Sequence, residues 1–222
     1  MNVDKADFIR ENTELLPVPS SPRIRLHVAG ESMPLWQRST EDLDAIGIAH
    51  LPFWASAWVG GQALARFVLD NPEAVRGKRV LDFATGSGIV GIAAALAGAA
   101  RVVANDIDPM ALEAAGLNAA ANGVTLEMQQ GDITGAPATG YDVILCGDVF
   151  YEKPMAEAIF DWLERSRRHA GEVLIGDPGR SYLPYERLEK LATYEMPATQ
   201  PLEDTDTLHT TVWRFTRDAV QT

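Results

Sequence analysis

Two groups of residues in this chain have the types and spacing that chemistry needs. The first is Gly86, Gly88 and Gly91, which match G-x-G-x-x-G between the run Val80-Leu81 and an apolar helix start. Glycines there let backbone N–H groups approach a nucleotide-like ligand. Asp106 follows twenty residues beyond Gly86, where a carboxylate can accept both hydroxyls of a ribose. The second group is Asp148 and Tyr151, an acid and an aromatic three residues apart after the apolar run Val143-Ile144-Leu145. An apolar strand ending in Asp148 points a charge into a crevice, where charge is costly without a purpose.

The elements that must position these groups alternate. Strands are predicted over residues 79–83, 101–105, 126–129, 141–146 and 172–175, and a closing strand over 208–215. Helices are predicted over 89–96, from the cap Asp108-Pro109 to Gly123, and over 154–170, where Met155, Ile159, Trp162 and Leu163 share one face. Such alternation implies an α/β fold, a doubly wound Rossmann-like sheet with helices on both faces. The first fifty residues form an N-terminal extension (1–50) to a core at 51–222, all one domain. Within the extension a helix is expected over 8–16, a strand over 24–28, a turn at Gly30-Glu31-Ser32 and a return strand over 35–37. Trp54 and Trp58 flank a packed turn that leads into a helix over 62–69.

In a doubly wound sheet, ligands bind beyond the carboxyl ends of the strands. Asp82, Asp106 and Asp132 lie at the ends of three successive strands. An acid at Asp82 would face the pyrophosphate of a nicotinamide cofactor, which is already anionic. S-adenosylmethionine carries a sulfonium, an ammonium and no phosphate, so three carboxylates suit it better. No G-x-x-x-x-G-K-[ST] is present, which excludes a P-loop. Asp108 is best explained as a helix cap, and Asp132 is either a turn residue or an acceptor for an exocyclic amine, with Ile133 packing on the ring. Asp177-Pro178-Gly179 suffices for a turn.

Val80-Leu81-Asp82-Phe83-Ala84-Thr85-Gly86-Ser87-Gly88, Asn105-Asp106-Ile107-Asp108, Gly131-Asp132-Ile133 and Asp148-Val149-Phe150-Tyr151 together resemble the class I, seven-β-strand methyltransferases. The resemblance covers roughly residues 50 to 216 and departs at Ala84, where the family usually has the first glycine of its loop. It implies a seven-stranded, mostly parallel sheet with an antiparallel C-terminal strand. It also implies S-adenosylmethionine as cofactor and S-adenosylhomocysteine as product. The implied cofactor seat is Trp58, Asp82, Ala84, Gly86, Ser87, Gly88, Asp106, Ile107, Asp132, Ile133 and Cys146. Trp58-Val59-Gly60-Gly61, the D-x-x-Y of Asp148 and Tyr151, and Gly176-Asp177-Pro178-Gly179-Arg180 are similar to the electron transfer flavoprotein β-subunit lysine methyltransferases. That implies a bacterial enzyme with Asp148 and Tyr151 as catalytic residues. The implied protein substrate is that flavoprotein subunit, with a basic, lysine-bearing surface. Another protein, such as a ribosomal protein, or a small amine is the alternative acceptor.

The rest of the composition bounds the partners. The 222 residues carry a formal charge of −12. A surface that acidic repels phosphate backbones, so nucleic acid is not expected. There is no apolar run long enough to span a membrane and no secretory or transit signature at the N-terminus. Cys146 is the sole cysteine, which fits a reducing, cytoplasmic setting. His27, His50, His169 and His209 are scattered without ligand spacing, so no metal is expected. A lysine acceptor is protonated at neutral pH, and deprotonating it costs about 4–5 kcal/mol. Asp148 alone would make that harder, so its expected role is capture and orientation, with Tyr151 aiming the lone pair.

Overall fold

A computed structural model describes residues 4–30, 33–38, 40–45, 48, 50–197 and 207–216. The elements are α1 (Lys5–Asn12), β1 (Glu14–Val18), β2 (Ser21–Val28), α2 (Thr40–Ala45), α3 (Val59–Asp70), β3 (Arg79–Phe83), α4 (Ile89–Leu96), β4 (Arg101–Asp106), α5 (Pro109–Ala121), β5 (Glu127–Gln130), β6 (Val143–Gly147), α6 (Lys153–Ser166), β7 (Glu172–Asp177), β8 (Leu188–Pro197) and β9 (Thr207–Phe215). Seven strands form one sheet in the order β5-β4-β3-β6-β7-β9-β8. It is parallel from β5 to β7, and β9 then runs antiparallel to both β7 and β8. This is the doubly wound, Rossmann-like sheet that the alternating pattern implies.

Both faces of the sheet are buried, which is why its central strands read as continuous apolar runs. Val80, Val143, Leu145 and Leu174 pack against α3 and α4 on one face. Leu81, Ile144, Cys146, Val173 and Ile175 pack against α6 on the other. Along β6 the period of two sends successive side chains to opposite cores, and Val143 to Cys146 are all fully buried. The apolar face of α6 seats Ile159, Trp162 and Leu163 in that second core. Each such side chain contributes about 1.5–3 kcal/mol of burial.

The extension differs from its expected form. The helix expected over 8–16 ends at Asn12, because residues 14–18 pair antiparallel with β2, Leu16 opposite Leu26. The return strand expected over 35–37 is a single 3₁₀ turn, Pro34–Gln37. Of the expected turn at Gly30-Glu31-Ser32, Glu31 and Ser32 lie outside the described residues. The extension packs on α5: Phe8, Ile9, Leu35 and Trp54 share a cluster with Met110, Ala111 and Ala114. Asn118 on α5 and Asn122 at its C-cap, one turn apart, accept from the N–H groups of His27 and Arg25 at 2.7 and 2.9 Å. Two amide side chains thus satisfy N–H groups on the edge of β2 that no further strand covers among the described residues. The helix expected over 62–69 starts earlier, at Val59, and β8 had no predicted counterpart.

Candidate functional site

Strand order reverses between β3 and β6, and the site is built where their carboxyl ends part. After β3 the chain turns through Ala84-Thr85-Gly86-Ser87-Gly88 into α4. Ala84, Gly86 and Gly88 have φ of 52°, 52° and 82°. A left-handed alanine costs about 1–2 kcal/mol that glycine would not, so the departure at Ala84 is a strained one. Asp82 holds the turn from beneath. Its Oδ2 accepts from Thr85 Oγ1 at 2.5 Å and from the Gly91 N–H at 2.8 Å. Gly91 is the third residue of α4, so Asp82 satisfies a helix-end donor. A Cβ on Gly91 would stand 2.9 Å from that oxygen, which explains the third glycine of the pattern. Asp82 is only 2% exposed, and burial pushes its carboxyl up to about 7.

At the end of β4, Asp106 Oδ2 accepts from the Gly86 N–H at 3.0 Å and Oδ1 from the Asp108 N–H at 3.0 Å. Burial raises this carboxyl as well, against those backbone bonds. Asp108 caps α5 through the Met110 N–H at 2.8 Å. Ile107 stands out of the surface beside Asp106, 59% exposed. Beyond β5, Asp132 Oδ1 takes both the N–H and the hydroxyl of Thr134, at 2.8 and 2.7 Å. Those bonds lower its carboxyl, and Ile133 is half-buried next to it. Among the described residues no lysine or arginine pairs with Asp82, Asp106 or Asp132.

At the end of β6, Asp148 has φ of 54°, a left-handed conformation in a non-glycine residue. Its N–H donates to Gly176 O at 3.0 Å. Its Oδ2 accepts from the Gly61 N–H at 2.9 Å, and its Oδ1 from Arg180 Nη2 at 3.1 Å. Trp58, at the N-cap of α3, makes no side-chain cap bond, so Asp148 caps that helix from another element. This requires α3 to touch the sheet. A Cβ on Gly60 would collide with Asp148 Oδ2 and Gly176 O, and one on Gly176 with Gly60 O. Burial raises the Asp148 carboxyl while Arg180 and the Gly60 and Gly61 N–H groups oppose the rise.

Trp58 before α3 and Tyr151 after β6 are joined through Phe53 in an aromatic group. Phe53 lies 5.9 Å from the Trp58 ring and 6.2 Å from the Tyr151 ring, centroid to centroid. Trp58 Nε1 donates to Phe53 O at 2.8 Å, and Tyr151 is half exposed. Val149 and Phe150 are buried and pack as a sequence of apolar residues should. Asp177 forms the expected turn, its Oδ1 accepting from the Gly179 and Arg180 N–H groups, both at 2.7 Å. Burial lifts its carboxyl to about 6.

Of the residues expected at the cofactor seat, Trp58, Ala84, Gly86, Asp106, Ile107, Asp132 and Ile133 are at least partly exposed beyond the strand ends. Asp82, Ser87 and Gly88 lie in the floor of the turn. Cys146 does not reach the cleft with its side chain. The thiol is fully buried on the α6 side of the sheet, with Leu81, Phe83 and Trp162. Position 146 alternates to the core face, so any part it takes in the cofactor seat is through its backbone. Two members of the site were not expected there, Phe53 and Arg180, although Arg180 ends the Gly176-Asp177-Pro178-Gly179-Arg180 motif. The crowding of three aromatics in Pro52-Phe53-Trp54-Ala55-Ser56-Ala57-Trp58 is the nearest signal for Phe53.

Residues 63–150 match the family described as ribosomal protein L11 methyltransferase (PrmA). An electron transfer flavoprotein β-subunit lysine methyltransferase of Xenopus laevis is 42% identical over 94% of this chain and 85% of its own length. Its counterpart in Homo sapiens is 35% identical over 94% of this chain and 80% of its own. Among solved structures, magnesium protoporphyrin IX methyltransferase (ChlM) of Synechocystis PCC 6803 with bound S-adenosylmethionine superposes with a TM-score of 0.52 at 19% identity, covering 71% of this chain and 81% of that one. The ribosomal protein L11 methylase of Lactobacillus delbrueckii subsp. bulgaricus gives a TM-score of 0.51 at 22% identity, over 72% and 81%. Among the described residues no helix is long and apolar enough to cross a membrane.

Proposed function

Because the chain belongs to the electron transfer flavoprotein β-subunit lysine methyltransferase family, we propose that it methylates lysines of that flavoprotein subunit, with Asp148 and Tyr151 acting on the lysine. It is an S-adenosylmethionine-dependent protein-lysine methyltransferase. The observation that carries the assignment of roles is Asp148, a carboxylate 9% exposed at the end of β6, held by the Gly61 N–H and Arg180. The net charge of −12 supports a basic protein partner rather than a nucleic acid. A single, buried, reduced cysteine is consistent with a cytoplasmic setting.

The residues beyond β3, β4 and β5 fit the cofactor by their donor set. Asp106 is pre-set by two backbone N–H groups and has lone pairs left for ribose hydroxyls. Ile107 and Ile133 offer apolar flanks for an adenine ring and Asp132 an acceptor for its amine, and among the described residues no lysine or arginine pairs with Asp106 or Asp132. Trp58 would border the methionine end, with the backbone of Ala84, Gly86, Ser87 and Gly88 lining the turn. When bound, the cofactor supplies an electrophilic methyl group on a cationic sulfur. Everything else is positioning, which can account for much of the rate. Asp148 accepts from the lysine and fixes its direction. Phe53 and Tyr151 exclude water and tolerate the cationic product through their ring faces. The Tyr151 hydroxyl aims the lone pair, and the proton leaves to water.

Incubating the purified protein with labelled S-adenosylmethionine and purified electron transfer flavoprotein, followed by peptide mass spectrometry, tests this. Label should appear on lysines of the β subunit. Asp148→Asn should lose at least about 100-fold in rate, the scale set by misorientation, while still binding S-adenosylhomocysteine. Label on no lysine of that subunit would refute the substrate, and equal loss of binding and rate would refute the role of Asp148.

A further inference from the structure

Asp148 contains a conflict. A carboxylate beside an ammonium favours the protonated form, yet the methyl group must be attacked by a neutral amine. What the structure adds is a guanidinium on the same carboxylate. Arg180 Nη2 donates to Asp148 Oδ1 at 3.1 Å, while Oδ2 is held by the Gly61 N–H at 2.9 Å. Arg180 is itself anchored, since its backbone N–H donates to Asp177 Oδ1 at 2.7 Å in the turn that ends β7. The side chains of Arg180 and Asp148 are 26% and 9% exposed. The pair is therefore largely out of water, where charges act strongly on one another.

We propose that Arg180 is a positioning residue of the methyl transfer: its guanidinium offsets the charge of Asp148, so that the carboxylate aims the substrate lysine without holding it as an ammonium. This rests on the lysine reading above. Asp177 at the end of β7 faces both Asp148 and Arg180, and the Cys146 thiol on β6 faces Asp148 and Asp177. Tyr151 senses Arg180 together with Glu152 and Asp106, and Tyr185 senses Asp177. Helix α3 presents the Gly60 and Gly61 N–H groups to Asp148. Among the described residues Arg180 is the cation of this set. With both acids ionised, Asp148, Arg180 and Asp177 sum to one negative charge, and without Arg180 they would sum to two. The site still attracts a lysine, but the Arg180 guanidinium favours proton loss. An ammonium proton leaves to water. The Nζ lone pair then forms the N–C bond while the S–C bond breaks with its electrons left on sulfur, giving a methylammonium and a neutral thioether.

The test uses Arg180→Met, Arg180→Gln and Arg180→Lys in the full chain, with the flavoprotein β subunit as acceptor. Rates are measured from about pH 6.5 to 9.5, and acceptor affinity is measured on the protein loaded with S-adenosylhomocysteine. Each pKa unit by which the bound lysine rises reads as tenfold in rate below that pKa, so the neutral variants should lose about tenfold or more at pH 7 and recover to within about twofold by pH 9.5. They should bind the unmethylated acceptor as tightly as the parent protein or more tightly, because the charge of Asp148 is uncovered. Arg180→Lys should keep the parent pH profile. A loss equal at every pH, or weaker acceptor binding with an unchanged profile, would overturn the proposal. Loss of S-adenosylhomocysteine binding in both neutral variants would make Arg180 structural and overturn it too. If the parent protein methylates no lysine at any pH, the function proposed above fails, an outcome distinct from a parent that works and variants that lose rate uniformly.

Discussion

Gly60→Ala places a Cβ against Asp148 Oδ2 and the Gly176 carbonyl oxygen, both closer than the 3.0 Å that real Cβ atoms keep. Neither neighbour is a flexible tip. Gly176 O belongs to β7, and Asp148 is held by the Gly61 N–H and Arg180. The N-terminus of α3 must therefore back away by about 1 Å to reach an ordinary nonbonded separation. Overpacking of this kind costs about 1–3 kcal/mol. Losing the cap that Asp148 provides adds about 1 kcal/mol, and the helix propensity of alanine returns less than about 1 kcal/mol. The net loss is about 1–3 kcal/mol, which a domain of ordinary stability survives. A 1 Å displacement at the acid that orients the acceptor costs about 100-fold in rate. Thermal melting and methyl transfer should be followed together, with two graded companions. In Gly61→Ala the new Cβ meets the Cγ2 methyl of Ile89 at 3.1 Å, and in Gly116→Ala, on α5, it meets Met128 Cε at 3.7 Å. The first should be milder than Gly60→Ala. The second should leave the rate alone and raise stability by about 0.5–1 kcal/mol. Gly60→Ala retaining its rate to within about threefold would refute the claim that close helix–sheet contact sets the position of Asp148.

Asp106→Ala removes the acceptor of the Gly86 N–H and of the ribose together. Hydrogen bonds to a charged group are worth about 1.5–3 kcal/mol, so the calorimetric Kd for S-adenosylhomocysteine should rise about 10- to 100-fold; a Kd within twofold would remove Asp106 from the cofactor seat. Asp82 has a folded-state carboxyl raised to about 7 against a reference of 3.8. The folded protein thus holds more protons than the unfolded chain across that window, and this group's contribution to stability is lost as pH rises through it. Asp82→Asn keeps an acceptor for Thr85 and Gly91 and cannot ionise. Relative to the parent it should gain about 2–3 kcal/mol on going from pH 5 to pH 8, seen as a melting difference that changes with pH; a constant difference would contradict a buried, titrating Asp82.

The core of the sheet was legible because physical constraints act locally there. Strands buried on both faces need unbroken apolar runs such as Val143-Ile144-Leu145, and helix starts need caps such as Asp108-Pro109. Strand β8 escaped because it is an edge. Its Glu189, Lys190 and Glu195 face water, only Leu188 and Met196 are buried, and its register shifts between Lys190 and Ala192. The α1–β1 boundary escaped because Leu15 and Leu16 continue a helical spacing that pairing with β2 overrides. In the site, Asp106, Asp148 and Tyr151 could be found because they follow strands. Arg180 and the Gly60–Gly61 pair act on Asp148 from 32 and 87 positions away, a relation that no local pattern encodes. Asp82 was legible as an acid by the turn, but its use as a brace beneath that turn depends on geometry alone.

The burial of Cys146 has a use outside catalysis. The chain holds one thiol, fully shielded, and burial among Asp82, Asp177 and Asp148 pushes its pKa well above the ordinary value. Alkylating reagents attack thiolates they can reach, so the native protein is silent to them and each labelling event counts a molecule that has opened its central sheet. The unmodified chain is its own unfolding probe, and a cysteine introduced on the surface for a dye would be the only one to react.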